Sequence, residues 1–84
     1  MDALINQAHL CMAEKSYDLA INLYKGFLIK NPNSLEIAMY LSKAYFRKQN
    51  FEVCKQMTVN LLAKHPNDLR LKYNLAFCLY QEAS

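Results

Sequence analysis

The sequence predicts an all-α protein, five helices stacked as antiparallel pairs into a right-handed α-solenoid. Three observations lead there. Hydrophobic residues make up 54% of the chain with a single Gly and two Pro, too apolar for disorder and too poor in loop residues for an all-β domain. Between Tyr17 and Asn33, the apolar residues Ala20, Tyr24, Phe27 and Leu28 recur at i, i+4, i+7 and i+8, one stripe on a period of 3.6, while Asp18, Asn22 and Lys25 are polar. The pattern then returns. From Phe51 to Asn67, Cys54, Thr58, Leu61 and Leu62 take the same places, and Pro32 and Pro66 close the two stretches 34 positions apart. A fixed period of this length is the signature of stacked helical hairpins.

Helix one is expected from Asp2 to about Glu14, with Asp2 as a candidate N-cap and Ala8 small enough for the next helix to approach closely. Lys15-Ser16 is the turn, and Ser16 can cap helix two. That helix starts at Tyr17 and ends before Pro32, which cannot continue it and pushes Asn31 out of the helical region. Gly26 in its interior costs roughly 1 kcal/mol against alanine and marks either a close helix contact or a tolerated surface position. Asn33-Ser34 begins helix three; Ile37 stands where a capping box would need Glu or Gln. Helix three runs to about Lys48 and Gln49-Asn50 is the turn. Helix four follows from Phe51 to about Lys64. Pro66-Asn67-Asp68 leads into helix five, Leu69 to about Glu82.

At 84 residues and 9.8 kDa the chain is one domain, and it buries only about 60–65% of its unfolded surface. No uncharged run approaches the roughly 18–20 apolar residues of a membrane span, and Met1-Asp2 opens an amphipathic helix rather than a signal peptide. A soluble, intracellular protein without membrane contact is expected. Cys11, Cys54 and Cys78 are odd in number and lack Cys-x-x-Cys spacing. They read as packed small hydrophobes, neither a disulfide framework nor a zinc site. Net charge is +3, with Lys43, Arg47, Lys48 and Lys55 near the middle of the chain. Without a longer basic run this reads as a solvated face, and no direct nucleic-acid contact is expected.

The half of each unit upstream of the stripe should be a partner helix. Ala38, Leu41, Ser42 and Tyr45 carry a Leu-small pair followed by an aromatic; Leu4, Gln7, Ala8 and Cys11 stand in the same register, as do Lys72, Leu75, Ala76 and Leu79. With the 34-residue period, these positions resemble the tetratricopeptide repeat (TPR) family over essentially the whole chain. Repeat 1 covers 1–34, repeat 2 covers 35–68, and the first helix of repeat 3 covers 69–84. Departures are the opening large residue of the second set and Gln7 and Cys11 of the first.

The resemblance implies that the first helix of each pair lines a concave binding surface. Carried over by register, its positions are Ile5, His9 and Met12; Met39, Lys43 and Phe46; Tyr73, Phe77 and Tyr80. Most are apolar, more than a soluble monomer leaves open. Three explanations stand side by side: the groove binds an apolar segment of a partner, neighbouring repeats cover it, or copies of the chain pack together. Chaperone adaptors of this family clamp a C-terminal carboxylate with Lys, Asn and Arg. The matching positions here are Ile5, His9, Tyr40, Arg70 and Asn74, and only Arg70 has the charge, so an acidic-tail clamp is not expected and Arg70 simply joins the predicted face. Helix five is apolar most of the way round through Leu71, Leu75, Phe77, Cys78 and Leu79, whereas a terminal repeat presents a polar side. A segment of a longer repeat array is the expectation.

No Gly-rich loop or Ser-His-Asp spacing occurs, and neither His9 nor His65 is accompanied by a second ligand. No enzyme, cofactor or metal is expected. Several words go beyond the repeat consensus: Ile5-Asn6-Gln7-Ala8-His9, the run Tyr40 to Lys48, Cys54-Lys55-Gln56, and Tyr73-Asn74-Leu75-Ala76 with Gln81. Together they resemble the later repeats of the large TPR subunits of the RNA polymerase II-associated factor (PAF) complex. That resemblance implies a nuclear scaffold whose partners are other PAF subunits on elongating polymerase, acting by shape and apolar contact. The alternative is a cytosolic TPR adaptor that recognises peptides. An adaptor should be a monomer alone, whereas a scaffold segment should self-associate or need its partner.

Overall fold

The computed structural model describes the backbone of residues 2–83 and the side chains of residues 5–81. Five helices follow in order: α1 Asp2–Ala13, α2 Tyr17–Lys30, α3 Leu35–Arg47, α4 Phe51–Lys64 and α5 Leu69–Ala83. Each packs on the next, α1 on α2 through to α4 on α5, and no strand occurs among the described residues. The fold is all-α and consistent with a TPR-like helical repeat. The molecule measures 34 × 27 × 17 Å. Its thin direction holds at most two helices of about 10 Å, so every helix keeps a side toward solvent.

Local geometry repeats at the interval of the prolines. Lys15 and Gln49 both adopt positive φ, 64° and 69°. Around them the bonds Lys15 N–H to Met12 C=O and Ser16 N–H to Cys11 C=O match Gln49 N–H to Phe46 C=O and Asn50 N–H to Tyr45 C=O. Each pair is a Schellman closure that satisfies the last carbonyls of a helix. Downstream, Ser34 N–H bonds Asn31 C=O and Asp68 N–H bonds His65 C=O, so Pro32 and Pro66 sit at the second position of equivalent β-turns, where a φ fixed near −65° is wanted.

The helix starts are capped by Ser34, whose Oγ accepts from Ile37 N at 3.4 Å, by Asn50, whose Oδ1 accepts from Val53 N at 3.5 Å, and by Asp68. Ser16 does not cap α2 as expected. Its backbone (φ −87°, ψ 67°) nearly matches that of Asn50 (φ −89°, ψ 73°), and there the longer asparagine side chain reaches while a serine hydroxyl falls short. The capping role expected of Asp2, and Leu4 of the first signature set, lie outside the described side chains.

The main core gathers Ala8, Ala20, Ile21, Tyr24, Ile37, Leu41 and Ala44, with Phe27, Leu28 and Tyr45 partly buried against it. Fully buried alanines at 8, 20 and 44 let backbones approach closely. In α4, Cys54 and Thr58 are buried while Leu61 and Leu62 are half-buried. Gly26 is exposed, with nothing within 4 Å of the place a Cβ would take, so of its two readings the tolerated surface position holds. In α5 the buried residues are Leu71 and Cys78, facing α4, whereas Lys72, Ala76 and Leu79 are exposed. Of their counterparts, Ala38 and Ser42 are buried, Ser42 against Cys54 and Thr58 of α4, and Tyr45 is half-buried against the main core.

Candidate protein-binding groove

Because α3 and α5 both pack on α4, a trough of about 560 Å³ runs between them, with Ser42 and Cys54 in its lining. From α3 come Met39, Lys43, Phe46 and Arg47, at i, i+4, i+7 and i+8; from α5 come Arg70, Asn74, Phe77 and Gln81, at i, i+4, i+7 and i+11. Each set is one helical stripe. Met39, Phe46 and Phe77 supply apolar surface, and the three cations Lys43, Arg47 and Arg70 stand with no carboxylate in the lining. Phe46 is held edge-on against Phe51 across the α3–α4 turn, ring centroids 5.3 Å apart at 66°.

Arg70 is positioned by Asp68. The carboxylate accepts from Arg70 Nη2 at 3.1 Å and from the backbone N–H groups of Arg70 at 2.9 Å and Leu71 at 3.4 Å. The Arg70 side chain, more than the backbone N–H groups, holds the Asp68 carboxyl below its ordinary range, and Asp68 in turn raises Arg70. One aspartate thus caps α5 and orients a groove cation.

A second hollow of about 350 Å³ opens between α1 and α3, lined by His9, Met12, Tyr24, Tyr40, Lys43 and Arg47 among others. Its wall is an aromatic cluster. His9 and Tyr40 meet edge to face at 4.6 Å, Tyr40 stacks on Tyr24 at 5.9 Å, and the Tyr24 hydroxyl lies 2.8 Å from His9 Nδ1. Burial, with smaller contributions from Tyr40 and Cys11, raises the pKa of Tyr24, so its hydroxyl keeps its proton. His9 therefore braces the core tyrosine.

Of the residues expected on the concave face, Met39, Lys43, Phe46, Arg70 and Phe77 come together in the α3–α5 groove. His9 and Met12 line the α1–α3 hollow, which shares Lys43. Ile5 packs against the main core and lines neither. Tyr73 and Tyr80 are exposed, 64% and 70%, but stand outside both linings. Sequence reasoning did not place Arg47 or Gln81 on this surface, and it named Tyr40 and Asn74 only as clamp positions without the needed charge; the signal for Gln81 was the stripe Arg70, Asn74, Phe77, Gln81, about 60° round α5 from Tyr73. Among the described residues no group of three His, Cys, Asp or Glu is arranged to hold a metal ion, and no helix is long and apolar enough to cross a membrane.

In type, the molecule is an all-α stack of helices, consistent with a TPR-like helical repeat, that carries an apolar, cation-rimmed trough. Two curated relatives align over nearly all of the chain. The chain is 27% identical over 84 residues to RNA polymerase-associated protein CTR9 of Caenorhabditis elegans, covering 98% of this chain and 7% of the relative. It is 22% identical over 86 residues to Protein CTR9 homolog of Arabidopsis thaliana, covering 99% of this chain and 8% of the relative. The chain thus spans less than a tenth of the length of either. No family model matches it.

Proposed function

We propose that this chain is a protein–protein interaction scaffold, a TPR segment of a CTR9-type subunit of the PAF transcription-elongation complex, working in the nucleus and not as an enzyme. It receives an apolar segment of another PAF subunit in the groove between α3 and α5. The groove is the observation that carries the reading: Met39, Phe46 and Phe77 offer an apolar seat, and the rim of Lys43, Arg47 and Arg70 favours a segment with acidic flanks. The alignments to short stretches of the two CTR9 relatives, which take in nearly all of this chain, support the choice of complex.

Titration calorimetry of the chain with each purified PAF subunit tests this. One subunit should bind. Met39→Glu and Phe77→Glu should each weaken it at least about tenfold, as central apolar anchors do, with helicity by circular dichroism unchanged. Binding that survives both changes would move the contact to another face, and failure of every subunit to bind would remove the assignment to this complex.

A further inference from the structure

The interface of α4 and α5 holds a chemical feature that scaffolding does not require. Cys54 Sγ and Cys78 Sγ face each other at 2.7 Å, from positions 24 apart in sequence. Two sulfurs at this separation are closer than non-bonded thiols ordinarily sit, and a small side-chain shift brings them to a bond of about 2.05 Å. Both residues are buried, and Cys11 lies on another helix, α1. We infer that Cys54 and Cys78 form a redox site that a hydroperoxide converts into an α4–α5 disulfide.

The surroundings assign the two sulfurs different roles. Cys54 lines the α3–α5 groove, whereas Cys78 is absent from that lining and is fully buried. A small oxidant entering the groove therefore meets Cys54 first. Beside it the Ser42 hydroxyl lies 3.4 Å from the Cys54 sulfur and 3.2 Å from the Thr58 hydroxyl, which donates to the Cys54 carbonyl at 2.8 Å. Thr58 spends its one proton on that carbonyl, so Ser42 donates to Thr58 and its oxygen accepts from the Cys54 thiol; once that thiol is deprotonated, the Ser42 hydroxyl must turn from Thr58 to donate to the sulfur. The Cys54 thiolate attacks the terminal peroxide oxygen, the O–O bond breaks, and the products are Cys54 sulfenic acid and hydroxide, which leaves as water once protonated by the thiol's proton. Cys78 then attacks the Cys54 sulfur, the S–O bond breaks, and the departing hydroxide takes the Cys78 proton as a second water. Two electrons pass from the thiol pair to the peroxide.

The consequence lies in α5. That helix is held by its packing on α4, and it contributes Arg70, Asn74 and Phe77 to the groove. A bridge fastens it there and removes loop-closure entropy from the unfolded chain. The oxidised molecule therefore presents a fixed α5 wall.

The test treats the reduced 84-residue chain with a slight excess of hydrogen peroxide, then alkylates it in denaturant for intact-mass analysis and peptide mapping. The expected product has lost two hydrogens, keeps Cys11 as its one alkylatable thiol, and yields a peptide linking Cys54 to Cys78. Its Tm should rise on the order of 10 °C and return on reduction. Cys11→Ser should leave the bridge intact, while Cys78→Ser should stop oxidation at a sulfenic acid on Cys54 that dimedone traps. Three alkylatable thiols surviving peroxide, linkage through Cys11, or linkage between chains would each overturn the site. These readouts on the unmutated chain decide the matter even if Cys78→Ser does not fold.

Discussion

Gly26 shows how far one residue's cost depends on what lies over it. It stands inside α2 without a positive φ, and a methyl group there would meet open space. Its cost is the backbone freedom of the unfolded chain. Gly26→Ala should therefore stabilise the protein by about 0.5–1 kcal/mol, read as a Tm increase of about 2–8 °C in a thermal melt. A decrease would mean that a neighbour approaches this point in solution. Lys15 and Gln49 are the opposite case, side-chain-bearing residues at positive φ where the Schellman closure needs one. No residue type at 15 or 49 signals that geometry, so it was not legible from the chain. His9 was equally hard to assign: its position on a helix was clear, but that it braces Tyr24 depends on α1 and α2 lying side by side.

Among the elements, the helices themselves were the most legible part of the chain. Every boundary falls within one residue of the expectation wherever a proline or a turn pair punctuates it, because those signals act locally on the backbone. Caps were less legible. Asp68 caps α5, although Pro66-Asn67-Asp68 reads in the sequence only as the lead-in to that helix, and Ser16 makes no cap bond. The Asp68–Arg70 pair gives the start of α5 a pH dependence. Its folded pKa lies below the ordinary value, chiefly because the Arg70 side chain bonds the ionised form. Ionised Asp68 thus favours the folded state above the unfolded pKa, and that contribution fades as the pH falls through the folded one. Asp68→Asn keeps a capping oxygen but loses the charge, so it should lower Tm slightly at neutral pH, and the difference should vanish in acid below the carboxylate range. Melting curves of both proteins across that range check it; a difference that persists in acid would assign the effect to the cap geometry instead.

Taken whole, the molecule exposes large apolar side chains on every helix, Ile29 of α2 among them, and most densely on α5. Leu69, Tyr73, Phe77, Leu79 and Tyr80, all on α5, are each about half exposed or more. A surface of this kind seeks cover. Light scattering over a concentration series should show a mass rising above 9.8 kDa, and Tyr73→Glu combined with Tyr80→Glu should restore the monomer. A monomer at every concentration would favour the self-contained adaptor over the scaffold segment. The sequence by itself determined the helices, their turns and their 34-residue interval, since hydrophobic period and proline act over a few residues. It also marked Met39, Lys43, Phe46, Arg70 and Phe77 as one surface, because register carries a face along a helix. What only the tertiary structure decided was the rotation of α5, which turns Asn74 and Gln81 into the groove and leaves Tyr73 and Tyr80 outside its lining, and the meeting of Cys54 with Cys78. Both follow from how α5 seats Leu71 against α4, a packing choice made between residues far apart in the chain.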